Sequence, residues 1–391
     1  MFVLYLINFL LAVSSSMAMS LAPLFMTSSL GFSRLTIGLL EGGYELSADC
    51  MKLFAGRHID LFKKKKCWIV LGILLSCLSK PFLLLGMTSS FFGLCCSRVL
   101  ERVGNGSTAA ARDLFIAQGC APNERGKAYG KIMISKTMGC FLGPLLLAVW
   151  CVVYPSADDS HYTALILVSL VFSLLAGWFI GFLPQEQKHT PQPKLSIPAW
   201  SDIYKLTRSH KALFSCLVLF MLGRFNDGVL ILYLKDIGLS PKFYLATIGI
   251  FNYVSLMTAH PVGRLLDRGY RVTLIYATVL ALALFNLCFL IKGATWVLML
   301  GVALWGFQRS SFQIILTTLL SQVVPSAHLG SALGLTSLLK GIVFLISCAL
   351  AGILADISYS YIFVFGLATS LLTLLTIPRK TLRNLGNTHE S

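Results

Sequence analysis

Apolar residues run in long blocks along this chain, separated by short clusters of Lys, Arg, Asp, Gly and Pro. A helix needs about 20 apolar residues to cross a bilayer. Twelve such blocks occur, over 3–26, 36–56, 67–87, 90–110, 129–152, 162–183, 211–234, 243–263, 272–292, 294–317, 331–354 and 358–378. Their continuity predicts helices, because the strands of a membrane barrel alternate polar and apolar positions. The first block has small residues near SMAMS, like a cleavable leader, but no charge appears before Arg34, so it is expected to remain as the first helix. The longest polar interval, PQEQKHTPQPKLSIPAWSDIYKLTRSH over 184–210, divides the blocks six and six. Within it Trp200, Ile203, Tyr204 and Leu206 fit the apolar face of a short interfacial helix, and the segment fits a disordered connector equally well.

The second half repeats the first. GRHIDLFKKK follows the second block and GRLLDRGYR the eighth, each setting an Asp four residues after its Gly: Gly56/Asp60 and Gly263/Asp267, an offset of 207. GKAYGKIMISK (126–136) and GSALGLTSLLK (330–340) both read G-x-A-x-G-x5-K, at an offset of 204. Six spans return a chain to its starting side, so the repeats share one orientation, a plan that puts a binding site near mid-membrane between the halves. The expected organisation is an all-α membrane protein with twelve transmembrane helices in two pseudo-symmetric six-helix bundles. Residues 1–183 form one bundle, 184–210 a cytoplasmic central loop, and 211–391 the second bundle with a short cytoplasmic tail.

Composition agrees: 56% of residues are hydrophobic and 12% charged, against about 25% charged in soluble proteins. The net charge of +16 raises the question of nucleic acid, which its distribution answers. Twenty Lys and Arg fall in loops on one side of the predicted spans, and four (Arg34, Lys235, Lys242 and Lys292) on the other. That bias puts both termini in the cytoplasm and makes the basic excess topological, with no nucleic-acid partner. The 11 cysteines contain no C-x-x-C pair and read as small buried hydrophobes. His260 is the one histidine inside a predicted span, no metal or catalytic spacing occurs, and no phosphate-binding G-x-x-x-x-G-K-[ST] loop is present. An enzyme, a cofactor and ATP drive are therefore not expected.

Twelve spans, a polar central loop and Gly-x3-Asp followed by basic residues resemble the major facilitator superfamily over essentially the whole chain. Its loop signature runs G-x-x-x-D-R-x-G-R-R. The first copy keeps Gly56, Asp60, Lys64 and Lys65 but has Leu61 and Lys63 where Arg and Gly are usual; the second keeps Gly263, Asp267, Arg268 and Arg271 with one residue fewer. The resemblance implies gating roles for Gly56, Asp60, Gly263, Asp267 and Arg268, with Gly allowing close helix approach and Asp latching onto basic groups of a neighbouring helix. Arg102, Gly106 and Thr108 resemble the family's fourth-span pattern, and ARDLFIA with ERGKAYG resembles a bacterial permease or efflux-like subgroup. That implies a monomer in a bacterial inner (plasma) membrane. Gly139, Gly143 and Pro144 match the antiporter motif of the fifth span, while Leu147 and Ala148 replace its final glycines.

Thirteen charges remain inside the spans: Lys52, Lys80, Arg98, Arg102, Lys136, Arg224, Arg309 and Lys340 against Glu41, Glu45, Asp49, Glu101 and Asp227. Each costs about 3 kcal/mol at the centre of a lipid-exposed helix, so they must face one another, a wet cavity or the interfaces. Glu41, Glu45, Asp49 and Lys52 share a stripe of about 80° rising about 16 Å along the second span. Two readings stay open: self-contained pairs (Asp49 with Lys52, Arg102 with Glu101 or Glu45, Arg224 with Asp227) or a central cavity. Lys136 and Lys340, at equivalent repeat positions, either snorkel or ring the inner mouth; Lys80 is expected to be structural. The cavity reading assigns Arg98, Arg102, Arg224, Arg309 and Glu41 to substrate and Glu45, Asp227 and Glu101 to proton coupling. The expected function is alternating-access secondary transport of a small anionic or zwitterionic organic solute, coupled to protons, with membrane lipid as the other partner. The alternatives are multidrug efflux, a membrane-embedded enzyme and a non-transporting receptor.

Overall fold

The computed structural model describes residues 1–29, 34–87, 91–153, 159–183, 211–238, 241–291, 295–324 and 328–377. The central interval with its candidate interfacial helix lies outside them. The described residues form thirteen α-helices: α1 (Phe2–Ser29), α2 (Arg34–Phe62), α3 (Lys65–Met87), α4 (Phe91–Gly119), α5 (Arg125–Val153), α6 (Asp159–Trp178), α7 (Lys211–Leu222), α8 (Asp227–Asp236), α9 (Pro241–Asp267), α10 (Arg271–Leu290), α11 (Thr295–Val323), α12 (Leu329–Ile357) and α13 (Tyr359–Thr376). Helix occupies most of the described part of each of the twelve predicted ranges, but 211–234 holds two helices rather than one.

The break at 223–226 has local causes. Gly223 and Asn226 are poor helix formers, and Phe225 is buried among Phe285, Trp305 and Phe363, with ring centroids 5.8, 5.3 and 6.0 Å away. Carbonyls released where α7 ends are recaptured by the Ser347 hydroxyl of α12, which donates to Leu222 O (2.9 Å) and to Arg224 O. The Asn226 side chain accepts from Gly228 N at 2.6 Å and caps α8. Buried backbone groups freed from a helix must find such partners.

Five stretches among the described residues are long and apolar enough to span a membrane by composition alone: Lys65–Gly86, Thr163–Phe182, Arg271–Leu290, Leu329–Ile357 and Tyr359–Thr376. Helices α2, α4 and α11 carry charges within them instead, which pair with charges on other helices. Apolar side chains cover the outside: Phe54, Phe92, Trp178 and Leu375 are 66–83% exposed, which suits hydrocarbon and would be an aggregation liability in water.

Helix α1 packs on α5 and α6, α3 on α4 and α6, and α2 on α4. Beyond the central interval, α11 packs on α9 and α10, α10 on α13, and α7 on α12 and α13. The two groups meet most extensively where α2 lies along α12 and α5 along α9. The α2–α12 seam runs the length of both helices: a Cβ on Gly56 would strike the backbone of Gly330 at one end, and one on Gly352 the backbone of Leu35 at the other.

Candidate functional site

Helices α2 and α4 each carry charges one turn apart, and these meet in register. Arg98 pairs with Glu41, and Arg102 with Glu45 at 2.8 Å. Asp227, the first residue of α8, pairs with Arg309 and accepts from Trp305 Nε1 at 2.8 Å, both on α11. Lys340 of α12 reaches Asp49 of α2 at 3.1 Å, and Asn226 Nδ2 lies 3.5 Å from Glu41. Both contacts cross between the groups of helices. Glu45 is the hub, within the fields of Arg102, Lys340, Lys136 and Arg309. The side chains of Arg102 and Glu45 remain 24% and 31% exposed, and those of Arg309 and Asp227 35% each. Exposure at the centre of the helix array marks an internal space.

Two cations in this space have no carboxylate partner among the described residues. Arg224 is held by rings instead: its guanidinium lies over Trp305 (5.7 Å) and Phe312 (5.6 Å), with a sulfur contact to Met221 at 3.9 Å. Its Nε is buried and without a hydrogen bond. The expected Arg224–Asp227 pair is absent because 223–226 is not helical, so an i,i+3 spacing no longer puts the two on one face. Lys136 of α5 is exposed yet sits in the fields of Arg112, Arg309 and Glu45, groups of three other helices.

Other expected groups lie elsewhere. Glu101 does not join the cavity: it accepts from Lys80 Nζ and Ser79 Oγ (2.6 Å each) and Ser76 Oγ (3.1 Å), between α3 and α4. The Lys80 and Glu101 side chains are 1% and 5% exposed, a closed ion pair that gives Lys80 its structural role. Asp49 and Lys52 do not pair with each other: Asp49 binds Lys340, and Lys52 binds Asp113 of α4 at 2.7 Å, which also holds Arg112 at 3.1 Å. Ten of the cysteines, Cys50, Cys67, Cys77, Cys95, Cys96, Cys120, Cys140, Cys216, Cys288 and Cys348, are free thiols.

At the end bearing the basic loops, the repeated motifs interlock crosswise. The Asp60 carboxylate accepts from Gly330 N (3.0 Å), Ser331 N (2.6 Å) and Ser331 Oγ (2.7 Å) at the start of α12. Asp267 accepts from Gly126 N (2.8 Å) and Lys127 N (2.7 Å) at the start of α5. Gly56 packs on Gly330 and Gly263 on Gly126, with no room for a Cβ. The aspartates therefore latch onto helix N-termini, where free N–H groups and the helix dipole favour an anion, not onto basic side chains. Arg268 is exposed and stands outside these contacts. Arg125 adds a hydrogen bond to Ser321 O. At the other end of α2, Arg34 pairs with Asp236 (2.8 Å) and Asp356 (3.9 Å) and donates to Ala355 O (3.0 Å); Tyr359 also donates to Asp236 at 2.6 Å. Asn226, Trp305 and the Arg34 cluster carried no expectation. The GRFND stretch, with turn residues inside an apolar span, is the sequence signal for the first of these.

An all-helical array with an apolar exterior, a charged interior and latches between two groups of helices defines a membrane carrier. The family model for the Major Facilitator Superfamily matches residues 4–259 and 213–389, and the chain belongs to that superfamily. It is a secondary transporter and not an enzyme. An uncharacterized MFS-type transporter of Methanocaldococcus jannaschii, MJ1317, is 26% identical over 362 residues, covering 92% of this chain and 89% of that one. The multidrug resistance protein MdtH of Yersinia enterocolitica is 23% identical over 270 residues, 68% of this chain and 64% of that one. The crystal structure of the human organic anion transporter MFSD10 (TETRAN) superposes with a TM-score of 0.76 at 16% identity, covering 96% of this chain and 97% of that one.

Proposed function

We propose that this transporter moves a small anionic or zwitterionic organic solute, coupled to protons, by alternating access. Two six-helix bundles, 1–183 and 211–391, rock about the charged space, as a monomer with both termini in the cytoplasm of a bacterial inner membrane. The observation that carries the reading is the surplus of cations in that space. Four ion pairs account for Arg98, Arg102, Arg309 and Lys340, and leave Lys136 and Arg224 uncompensated. A desolvated charge without a partner is costly, as at the buried Arg224 Nε, and an anionic solute supplies the partner. An organic anion transporter among the similar structures is consistent with this. The acidic group of the solute competes with Glu45 for Arg102, or with Asp227 for Arg309; the displaced carboxylate takes a proton, so proton and solute load together. Arginine stays charged throughout and serves as the fixed pole. Glu45→Gln and Asp227→Asn proteins reconstituted in liposomes are expected to lose uptake or efflux driven by a pH gradient while retaining gradient-independent exchange. Full pH-driven transport by both variants would overturn the coupling assignment.

Efflux of amphipathic drugs is the second reading. The similarity to MdtH and the close packing of Gly139 and Gly143 of α5 against α1 backbone at Phe9 and Val13 favour it. Expression in a drug-sensitive host separates the two: broad resistance supports efflux, and an effect confined to one anionic solute supports the first reading.

A further inference from the structure

Asp49 lies on α2 between the central pairs of Glu41 and Glu45 and the Asp60 latch. Its only ion pair among the described residues reaches across to α12, to Lys340 at 3.1 Å, and its side chain is 6% exposed. One carboxylate oxygen makes that contact. The other, Oδ2, is buried without a hydrogen-bond donor and lies against the bare backbone of α12, where a Cβ on Gly341 would stand 2.9 Å from it. Opening at the basic end parts α2 from α12 and carries Lys340 away. A buried carboxylate would then be stranded, which is costly.

A replacement stands three residues on. Lys52 is on α2 itself, at the i,i+3 spacing that lets two side chains meet, and it moves with Asp49. In this structure it is held by Asp113 of α4, Nζ to Oδ2 at 2.7 Å. Asp113 can spare it. Arg112 donates to the other oxygen of Asp113 from Nε (3.2 Å) and Nη2 (3.1 Å), and is itself steadied by Asn8 Oδ1 of α1 at 2.8 Å. A buried acceptor that lacks a donor therefore has, on its own helix, a cation whose present partner already holds a second one.

We infer that Asp49 exchanges partners during transport, pairing with Lys340 while the basic end is closed and with Lys52 while it is open. This rests on the alternating-access reading and supplies one of its inner steps. Arg112 keeps Asp113 compensated after Lys52 leaves. Lys340, released from Asp49, meets the water entering from the basic side, which its long stem lets it reach. Lys52 is a positioning residue in this scheme, acting through Asp49.

The test uses the full-length, cysteine-depleted chain in detergent with one cysteine introduced at Ser321, which is 1% exposed in this structure. Its rate of alkylation reads opening at the basic end. Lys340→Met removes the closed-state partner and is expected to speed alkylation about fivefold; Lys52→Met removes the open-state partner and is expected to slow it about fivefold. A Lys52 that only braced α4 would leave the rate unchanged or, by loosening the bundle, raise it. Asp49→Asn removes the acid that needs either partner, so Lys52→Met is expected to have no effect in that background. Should Lys52→Met fail to fold, Lys52→Met with Asp113→Asn removes both members of the buried pair and is expected to show the same slowing. An unchanged or faster rate, or slowing that persists in the Asp49→Asn background, overturns the exchange and leaves alternating access standing. Alkylation absent from the parent chain and from every variant removes opening at this end, and the exchange with it.

Discussion

Lys80 and Glu101 illustrate how differently two mid-span charges behave when their surroundings differ. Their side chains are almost fully buried and Glu101 accepts three hydrogen bonds, while Glu45, four residues from Glu41 on the facing helix, forms a partly exposed pair with Arg102. Removing one member of a buried pair strands the other, at a cost of about 3–5 kcal/mol. Lys80→Ala is therefore expected to lower the unfolding midpoint markedly in detergent, and Lys80→Met with Glu101→Leu to recover most of that loss. A Lys80→Ala protein as stable as the parent would show that the pair is solvated. The sequence showed that these charges had to be satisfied, because hydrocarbon excludes them. It did not show by which partner, because partners come from helices distant in the chain: Lys340 for Asp49, Asp113 for Lys52, Arg309 for Asp227. Glu101 looked equivalent to Glu45 for that reason; the direction its side chain takes is set by how α3 seats against α4.

Helix ranges were the most legible feature, since apolar runs of spanning length have few alternatives. The exception, at 223–226, was written in GRFND but overridden by the length of the apolar block around it. The loop motifs were legible as repeats, yet not as partners of one another. Backbone N–H groups at the start of α5 and α12 are present in any helix and leave no mark in composition, so the acceptors for them were visible and the donors were not. A carboxylate at such a site stabilises by about 1 kcal/mol. Asp60→Asn is thus expected to shift the population about fivefold toward states open at the basic end. In a cysteine-depleted chain, a cysteine introduced at Ser321, 1% exposed here, should then be alkylated correspondingly faster. An unchanged rate would mean that Asp60 does not hold this end shut.

At the scale of the molecule, α2 is bound to the second group of helices at both ends, by Asp60 at one and Arg34 at the other, about 39 Å apart along its axis. The latches differ in kind. The Asp60 contacts are buried, whereas Arg34, Asp236 and Asp356 have side chains 37–47% exposed, where ion pairs contribute less than about 1 kcal/mol each. The Arg34 end is the weaker closure. Arg34→Gln is expected to widen spin-label distances across that end without altering the Asp60 end, and combining it with Asp60→Asn should offset the two shifts nearly additively. No widening would assign closure there to the α2–α12 seam alone.

The crosswise fit of the motifs has a further bearing on ancestry. Gly56/Asp60 closes on the start of α12, and Gly263/Asp267 on the start of α5, so each unit carries both a key and a slot that its own geometry keeps apart. One unit by itself would find its complement only in a sibling lying beside it, facing the same way. Carrying both units in one chain makes that encounter intramolecular, so no second copy need be met, and the two slots differ where Lys127 occupies the repeat position of Ser331.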